Sequence, residues 1–358
     1  MDNIYYSIIS FPGLGIDQFA VRNAAFVIPG TEIPIMWYAL LITFGMICCI
    51  TYVIFQAKKI GIVMDDIIDY ALFVIPIGVI GARLYYVLFD NQNTYESIVD
   101  VFNIRDGGLA IYGGIIAGAL TVLGVSLVKK IKFYAIGDCA APGVLLAQGI
   151  GRWGNFMNGE AYGAQTNGLF RMGLSNGNVN WDIIKGKIVD VDVNWDLSAG
   201  NVIGAEPGEM AYVHPTFLYE SVWNLVGVLL VYLYSRLVGK KYDGQLILLT
   251  FGWYGLGRFF IEGLRTDSLY IGDTNLRVSQ VLAAIIFLVC LGLLIFFFIR
   301  KPTAPLYHKA PVEGKKEDKK DMDYALMNKI KALFAAKKDV IKASDDNPKE
   351  IENKENDK

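Results

Sequence analysis

Several long apolar stretches constrain this chain's fold more than any other feature. A helix that crosses a bilayer needs about 20 mostly apolar residues, because each advances it only about 1.5 Å through a hydrocarbon layer about 30 Å thick. About seven stretches qualify, at roughly 34–56, 67–89, 109–128, 134–152, 216–238, 245–262 and 278–299. The fourth and sixth are the least clean, with polar residues at their ends. Composition agrees: hydrophobic residues make up 54 % of the chain and charged ones 19 %, too apolar for a water-soluble protein of 358 residues. The expected fold class is therefore all-α integral membrane. It has about seven transmembrane helices around a lipid-accessible cavity, a small outer head segment and a charged cytoplasmic tail.

Orientation follows from Lys and Arg in the short loops, which favour the cytoplasmic side. Lys58 and Lys59 follow the first stretch, and Lys129, Lys130 and Lys132 the third. Arg236, Lys240 and Lys241 follow the fifth, and Arg300 and Lys301 the seventh. All four clusters fall on one side if the N-terminus is outside and the C-terminus inside. The start, MDNIYYSIISFPGLGID, has no basic region and no cleavage site, so it does not read as a signal peptide.

This divides the chain into a membrane-embedded catalytic domain, 1–300, and a charged, largely disordered cytoplasmic tail, 301–358. Within the first, 161–212 is an extracytoplasmic insertion rich in Gly, Asn and Asp, mostly loop and strand; KIVDVDVNW alternates as a strand does. In the tail, Leu326, Ile330, Leu333, Phe334 and Ile341 recur at helical spacing between lysines. That pattern suits either a helix on the inner membrane surface or a solvated tail.

A net charge of −2 gives no reason to expect a nucleic-acid partner. Cys48, Cys49, Cys139 and Cys290 lie in apolar runs without metal spacing, so neither a metal nor a cofactor is expected.

Charged groups within a bilayer are costly and usually face protein or a wet cavity, which makes each one a functional candidate. The richest stretch is GRWGNFMNGE, with Arg152, Asn155, Asn158 and Glu160 spaced by Gly151, Gly154 and Gly159. The glycines permit tight turns and close approach of a bulky ligand. Arg152 offers a fork of donors that suits phosphate, and Glu160 can pair with an arginine or accept a proton. Snorkelling charges at a helix end are the alternative.

In GWYGLGRFFIEGLRTD, Tyr254, Arg258 and Glu262 are spaced by four and share a helix face, with Arg265 close by. A structural Arg–Glu pair is the competing explanation. DGGLAIYGGIIAG places Gly114 and Gly118 at a spacing that suits close helix packing, and Tyr112 can project into the cavity. HPTFLYES holds His214, a capping or interfacial histidine or else a proton carrier, and Glu220, which falls on a helix. Arg83 is a further intramembrane arginine, suited to a substrate or to a structural carboxylate partner. Tyr38 is a ligand contact or a core aromatic.

Arginines gathered at the outer edge of a membrane cavity suit a lipid with an anionic phosphate head. Two of them could hold the phosphate and stabilise charge on it as it leaves. No P-loop, zinc or Ser-His-Asp pattern is visible, so the chemistry would be electrostatic, with a proton acceptor activating a nucleophile.

GRWGNFMNGE resembles the signature of bacterial prolipoprotein diacylglyceryl transferases. DGGLAIYGG, HPTFLYE and YGLGRFFIEGLRTD resemble the family's other blocks, in the same order, within about 33–300. The resemblance implies a multi-pass enzyme of the bacterial cytoplasmic membrane. Such an enzyme moves the diacylglyceryl group of phosphatidylglycerol to the lipobox cysteine of a prolipoprotein signal peptide and releases glycerol phosphate. By matching position, it implies that Arg152 and Arg258 hold or neutralise the phosphate, and that Asn155, Glu160 and Gly163 are functional. Tyr38 and Tyr254 would lie near the site, with Arg83, Glu262 and Arg265 in less defined roles. Asn158 and His214 complete the candidate substrate-binding set.

One departure stands out: Tyr112 replaces a family histidine assigned as the base that takes the thiol proton. A tyrosine ordinarily titrates near pH 10, and a free cysteine near 8.5. The options are a tyrosinate beside an arginine, proton transfer to Glu160, or a thiolate stabilised by arginines without a dedicated base; His214 is a weaker choice. Of these, Glu160 and the arginine-stabilised thiolate are favoured, with Tyr112 donating a hydrogen bond to substrate. A membrane lipid or anion transporter is the rival function.

Overall fold

In a computed structural model, residues 6–31, 33–90, 95, 97–103, 108–175, 210–271, 274–302 and 305–309 are described. The apolar runs fold as helices, the form that satisfies each backbone N–H and C=O within its own segment. They are α1 (Trp37–Lys58), α2 (Met64–Phe89), α4 (Ile111–Val128), α5 (Phe133–Asn158), α6 (Thr216–Leu237), α7 (Gln245–Glu262) and α8 (Val278–Arg300). A short α3 (Ile98–Phe102) lies between α2 and α4, started by a capping box in which Ser97 and Asp100 bond reciprocally.

Among the described residues, six helices are long and apolar enough to span a membrane. The remaining long one, α7, has 18 residues and carries Gln245, Arg258 and Glu262. Its polarity, already visible as the unclean sixth stretch, is the reason it falls short. It is also why α7 matters to the site.

α5 is the hub, packing against α1 on one side and against α6 and α7 on another; α2 packs on α4, and α7 on α8. Small residues permit the closest crossings. Gly81 and Gly113 let the α2 and α4 backbones touch, whereas Gly114 and Gly118 sit at ordinary packing distance from α2. The expected small-residue contact is thus present, centred one residue earlier than Gly114.

The expected outer head is only partly the insertion. β1 (Tyr6–Phe11) and β2 (Ile16–Arg22) form a hairpin, joined by β5 (Met172–Ser175) and β6 (Met210–Val213) into an antiparallel sheet of order β2-β1-β5-β6. β3 (Ala24–Val27) and β4 (Pro34–Met36) form a second, two-stranded sheet leading into α1. The N-terminal strands were not assigned from sequence, and they qualify the all-α expectation: the protein is mostly helical with a β head. Ile9, Phe11, Leu174 and Val213 form the core of this head and pack on Phe217 of α6 and Phe156 of α5. KIVDVDVNW and the helical pattern at 326–341 lie outside the described residues.

At the opposite end the basic loops meet. Lys129 bonds Asp66 at 2.9 Å and Asp69 at 2.5 Å, and Lys240 bonds Asp138 at 3.0 Å. Asp138 also accepts from the backbone N–H groups of Gly244, Leu246 and Ile247, capping the N-terminus of α7 from α5.

Candidate active site

Glu220 is the hinge of the site, although sequence reasoning marked it only as helical and open to burial, outside the site residues. It is 2 % exposed on α6. One carboxylate oxygen lies 2.9 Å from Nη2 of Arg152 on α5, and the other accepts from Nη1 of Arg258 on α7 at 2.9 Å. Arg258 also contacts Glu262 at 2.5 Å, one turn further along α7. The signal that could have found Glu220 is an acid, buried on a helix face, in the block that opens with His214.

The glycines do less turning than expected. α5 runs on through GRWGNFMN, and only Gly159, at φ 64°, makes the left-handed turn that ends it. Keeping the stretch helical places Arg152 and Asn155 one turn apart, with Arg152 Nη1 3.4 Å from Asn155 Oδ1. Asn155 Nδ2 donates to Glu160 at 2.8 Å, and Asn158 Nδ2 at 3.4 Å. Glu160 is exposed. It therefore joins the cluster through amides rather than through an ion pair.

Two tryptophans set the register of α6 against α7. Trp223 and Trp253 stack with centroids 4.4 Å apart. Each donates its ring N–H to the other's backbone carbonyl, at 2.9 and 2.8 Å. Trp223 lies three residues after Glu220, and Trp253 five before Arg258. Tyr254 is half-buried on the same helix, and Tyr38 of α1 packs against Gly154 of α5.

Behind the arginines three segments converge. Gly163 N–H donates to His214 O at 2.9 Å, Ala164 N–H to Leu264 O at 2.8 Å, and His214 N–H to Ala164 O at 3.0 Å. A Cβ on Gly163 would lie 2.7 Å from the His214 Cβ and 2.8 Å from Leu264 O, so only glycine fits there without displacement. His214 is tied to Gly163 and Ala164 through its backbone, and its Nδ1 lies 3.3 Å from the Tyr219 hydroxyl. Burial pushes the His214 ring below its ordinary titration range, which keeps it neutral at pH 7.

Arg265 makes two bonds to Asp267, at 2.9 and 2.6 Å. Burial alone would raise the Asp267 carboxyl, but the Arg265 guanidinium outweighs it and holds the group below the usual carboxylate range. Ser268 Oγ donates to Glu262 at 2.8 Å, and Arg277 donates to the Glu262 carbonyl.

Two sequence candidates are described by contacts to other residues. Arg83 is buried and donates to the carbonyls of Val101, Asp100 and Gly108 at 2.8, 2.9 and 3.2 Å, fastening the segment between α2 and α4. Its described bonds are to backbone carbonyls rather than to the carboxylate expected of a structural partner. The Tyr112 hydroxyl lies 3.4 Å from Ser279 Oγ, linking α4 to the start of α8.

Each guanidinium has five N–H donors, and the contacts described occupy two on Arg152 and two on Arg258, leaving three on each. The cations Arg152, Arg258, Arg265 and Arg277 are matched by Glu220, Glu262, Asp267 and Glu160. Net charge would therefore not select an anion here; unused donors in a poorly solvated site would. As a mere fastener such a ring is a poor choice, since apolar side chains of equal volume hold helices as well as buried ion pairs do. No group of three or more His, Cys, Asp or Glu side chains among the described residues could hold a metal.

Residues 23–296 match the sequence model of the prolipoprotein diacylglyceryl transferase family. A phosphatidylglycerol–prolipoprotein diacylglyceryl transferase of Enterococcus faecalis is 38 % identical over 289 residues, covering 81 % of this chain and 95 % of the relative. Proteins of the same name from Clostridioides difficile and Streptococcus pneumoniae are 42 % and 39 % identical. They cover 71 % and 76 % of this chain, and 87 % and 93 % of their own lengths. With a helical membrane frame, four ordered motif blocks and relatives aligned over most of its length, this chain belongs to the prolipoprotein diacylglyceryl transferase family.

Proposed function

We propose that the chain transfers the diacylglyceryl group of phosphatidylglycerol to the thiol of a lipobox cysteine in a prolipoprotein signal peptide. The observation that carries this reading is the bridge of Glu220 between Arg152 and Arg258, which presents two guanidinium groups side by side at the β-head end of the helices. The cysteine sulfur attacks the glyceryl carbon that bears the phosphate ester, and a C–S bond forms as the C–O bond breaks. The electron pair leaves on the phosphate oxygen, and glycerol phosphate departs. Arg152 and Arg258 stabilise that growing charge through donors already fixed in place.

Glu160 is the acceptor for the thiol proton. Glu220 and Glu262 are committed to guanidinium contacts, whereas Glu160 is exposed and accepts from the neutral amides of Asn155 and Asn158. Tyr112 is a hydrogen-bonding group at the cavity wall. Asn155 and Asn158 orient Glu160, Tyr38 and Tyr254 line the approach, and Gly163, His214 and Arg265 shape the wall behind the arginines. The β-head end faces the outside of the cytoplasmic membrane, where both substrates are held in the bilayer, and the basic loops face the cytoplasm.

The test is release of glycerol phosphate by purified protein supplied with phosphatidylglycerol and a lipobox peptide. Arg152→Ala and Arg258→Ala should each lower the rate by about 10²–10³-fold, the usual cost of losing one such donor. A folded wild-type protein that releases none refutes the reading.

A further inference from the structure

At the basic-loop end, where α7 packs on both α6 and α8, lies a cavity of about 680 Å³. Leu249, Leu294 and Phe298 give it an apolar wall, and Tyr234, Lys241 and Lys301 a polar rim. We propose that it binds one diacyl phospholipid with a net anionic head, drawn from the leaflet that the basic loops face. The site is distinct from the arginines: Gln245, beside the rim, and Arg258 are separated by about 20 Å of rise along α7.

Three observations select this occupant. The first is charge. Lys129 and Lys309 pair with Asp66, Lys240 with Asp138 and Asp243, and Lys132 reaches Asp243 at 3.9 Å. Lys241 and Lys301 are different: both are exposed, and neither has a carboxylate partner among the described residues. They line one cavity from the start of α7 and the end of α8, so two uncompensated ammonium groups face the same space. A lipid phosphate answers both, and basic pockets between membrane helices recognise such heads. A zwitterionic head brings its own cation and gains less.

The second is the space beneath the lysines. Along α8 the lining runs from Lys301 down to Leu294, about 10 Å of rise. The volume falls in the range of about 300–1,000 Å³ that buries a sizeable organic ligand, far more than a free phosphate ion fills. The glycerol and the first methylenes of the chains suit Leu249, Leu294 and Phe298, which a soluble anion leaves uncovered.

The third is that the rim is already built. Gln245 is buried and donates to the Tyr234 hydroxyl at 2.8 Å, while its side-chain oxygen accepts from the Lys241 backbone N–H at 2.6 Å. Tyr242 packs on Phe297, with ring centroids 4.7 Å apart, which fixes the approach to α7 against α8. Lys301 ends α8 in the left-handed conformation, φ 45°, its N–H donating to Phe297 O at 3.0 Å. Glycine takes that conformation freely, whereas a lysine there bears a cost and keeps an ammonium at the cavity. Walls fixed before binding leave little ordering to be done by the ligand.

The experiment titrates the full chain, delipidated in detergent, with dioleoyl phosphatidic acid or dioleoyl phosphatidylcholine and counts bound lipid by native mass spectrometry. Wild type should hold phosphatidic acid more tightly than phosphatidylcholine. The double variant Lys241→Gln, Lys301→Gln should bind phosphatidic acid about 30-fold more weakly, the effect of two lysines facing an anionic head, with phosphatidylcholine unchanged. Both side chains are exposed, so their replacement leaves the packing intact. Leu294→Trp fills the apolar wall with both lysines in place and should also weaken phosphatidic acid binding. Excess glycerol phosphate should not displace the lipid from the Arg152→Ala protein, which keeps this site and lacks part of the other. Equal affinity for the two lipids, or none lost in the double variant, would overturn the proposal. So would an unchanged affinity in Leu294→Trp, which would leave only a surface charge effect, or displacement by glycerol phosphate, which would leave only an anion site.

Discussion

Glu220 gives each of its carboxylate oxygens to a different arginine, so removing it does two things at once. Glu220→Ala leaves two buried guanidinium groups short of a counter-charge, a change that costs about 3–5 kcal/mol where the pair is well buried. The expected result is a clear fall in thermal stability together with loss of glycerol phosphate release. Glu220→Gln retains the shape and one acceptor, and should recover more stability than activity. Tyr112→Phe is the opposite case. The hydroxyl makes one long contact, to Ser279, so the variant should keep activity to within about fivefold, as loss of one modest hydrogen bond implies. Full loss of activity would give the Tyr112 hydroxyl an essential part in the reaction. His214 supplies the pH dependence outside the helices. Its folded ring titrates below the ordinary value of 6.5, so it is neutral in the native state above that value. As the pH falls below about 6.5, the unfolded chain takes up a proton that the folded one resists, and stability declines. Thermal unfolding at about pH 7.5 and pH 5.5 should show a smaller pH slope for His214→Asn than for wild type.

The register between α6 and α7 is what puts Glu220 beside Arg258, and the Trp223–Trp253 pair fixes it. Gly257 lies against the face of the Trp223 ring, and an added Cβ would fall within the ring's own volume. Gly257→Ala should therefore separate the two helices and cost about 1–3 kcal/mol, the range for overpacking a tight interior. Activity should fall further than stability, because the arginine and carboxylate lose their alignment. A circular dichroism melt beside the transfer assay checks this. At this scale the sequence was legible in one respect and silent in another. The apolar runs foretold the helices to within a few residues, because bilayer thickness sets their length and lipid leaves the backbone no other way to be satisfied. The polar blocks singled out Arg152 and Arg258, which the structure brings together on Glu220, because buried charge is conspicuous against an apolar background. The partner of both arginines was harder to see: a single glutamate in a helix does not say which neighbours it faces. Arg83 shows the converse limit. Its charge marked it as a candidate, but its described donors reach carbonyl oxygens, which exist at every residue and leave no sequence signature. The hairpin formed by β1 and β2 was missed for a similar reason, since its partners β5 and β6 lie far away in the chain.

Across the whole molecule the two ends of the helix bundle are built for different purposes. One end gathers arginines and acids around a site roofed by the β head. The other ties the basic loops together, and there Pro305–Lys309 crosses between them. Tyr307 N–H donates to the Asp243 carboxylate at 3.0 Å, Lys309 N–H to Ile60 O at 2.9 Å, and the Lys309 ammonium to Asp66. Lys132 also lies over the Tyr307 ring, 5.9 Å from its centroid. The strap therefore joins the loop after α1, the loop after α4 and the loop before α7. The tail, expected from composition to be largely disordered from 301 onward, thus begins with a docked segment. Each of the three hydrogen bonds is worth about 0.5–1.5 kcal/mol, and the one from the charged ammonium lies at or above the top of that range. A chain ending after Lys309 keeps all of them and should melt at the temperature of the full protein in detergent. A chain ending after Lys301 loses them, along with the Tyr307 packing, and should melt several degrees lower. If both truncations melt alike, the strap is a bystander, and the ion pairs of Lys129 with Asp66 and Lys240 with Asp138 hold that end alone.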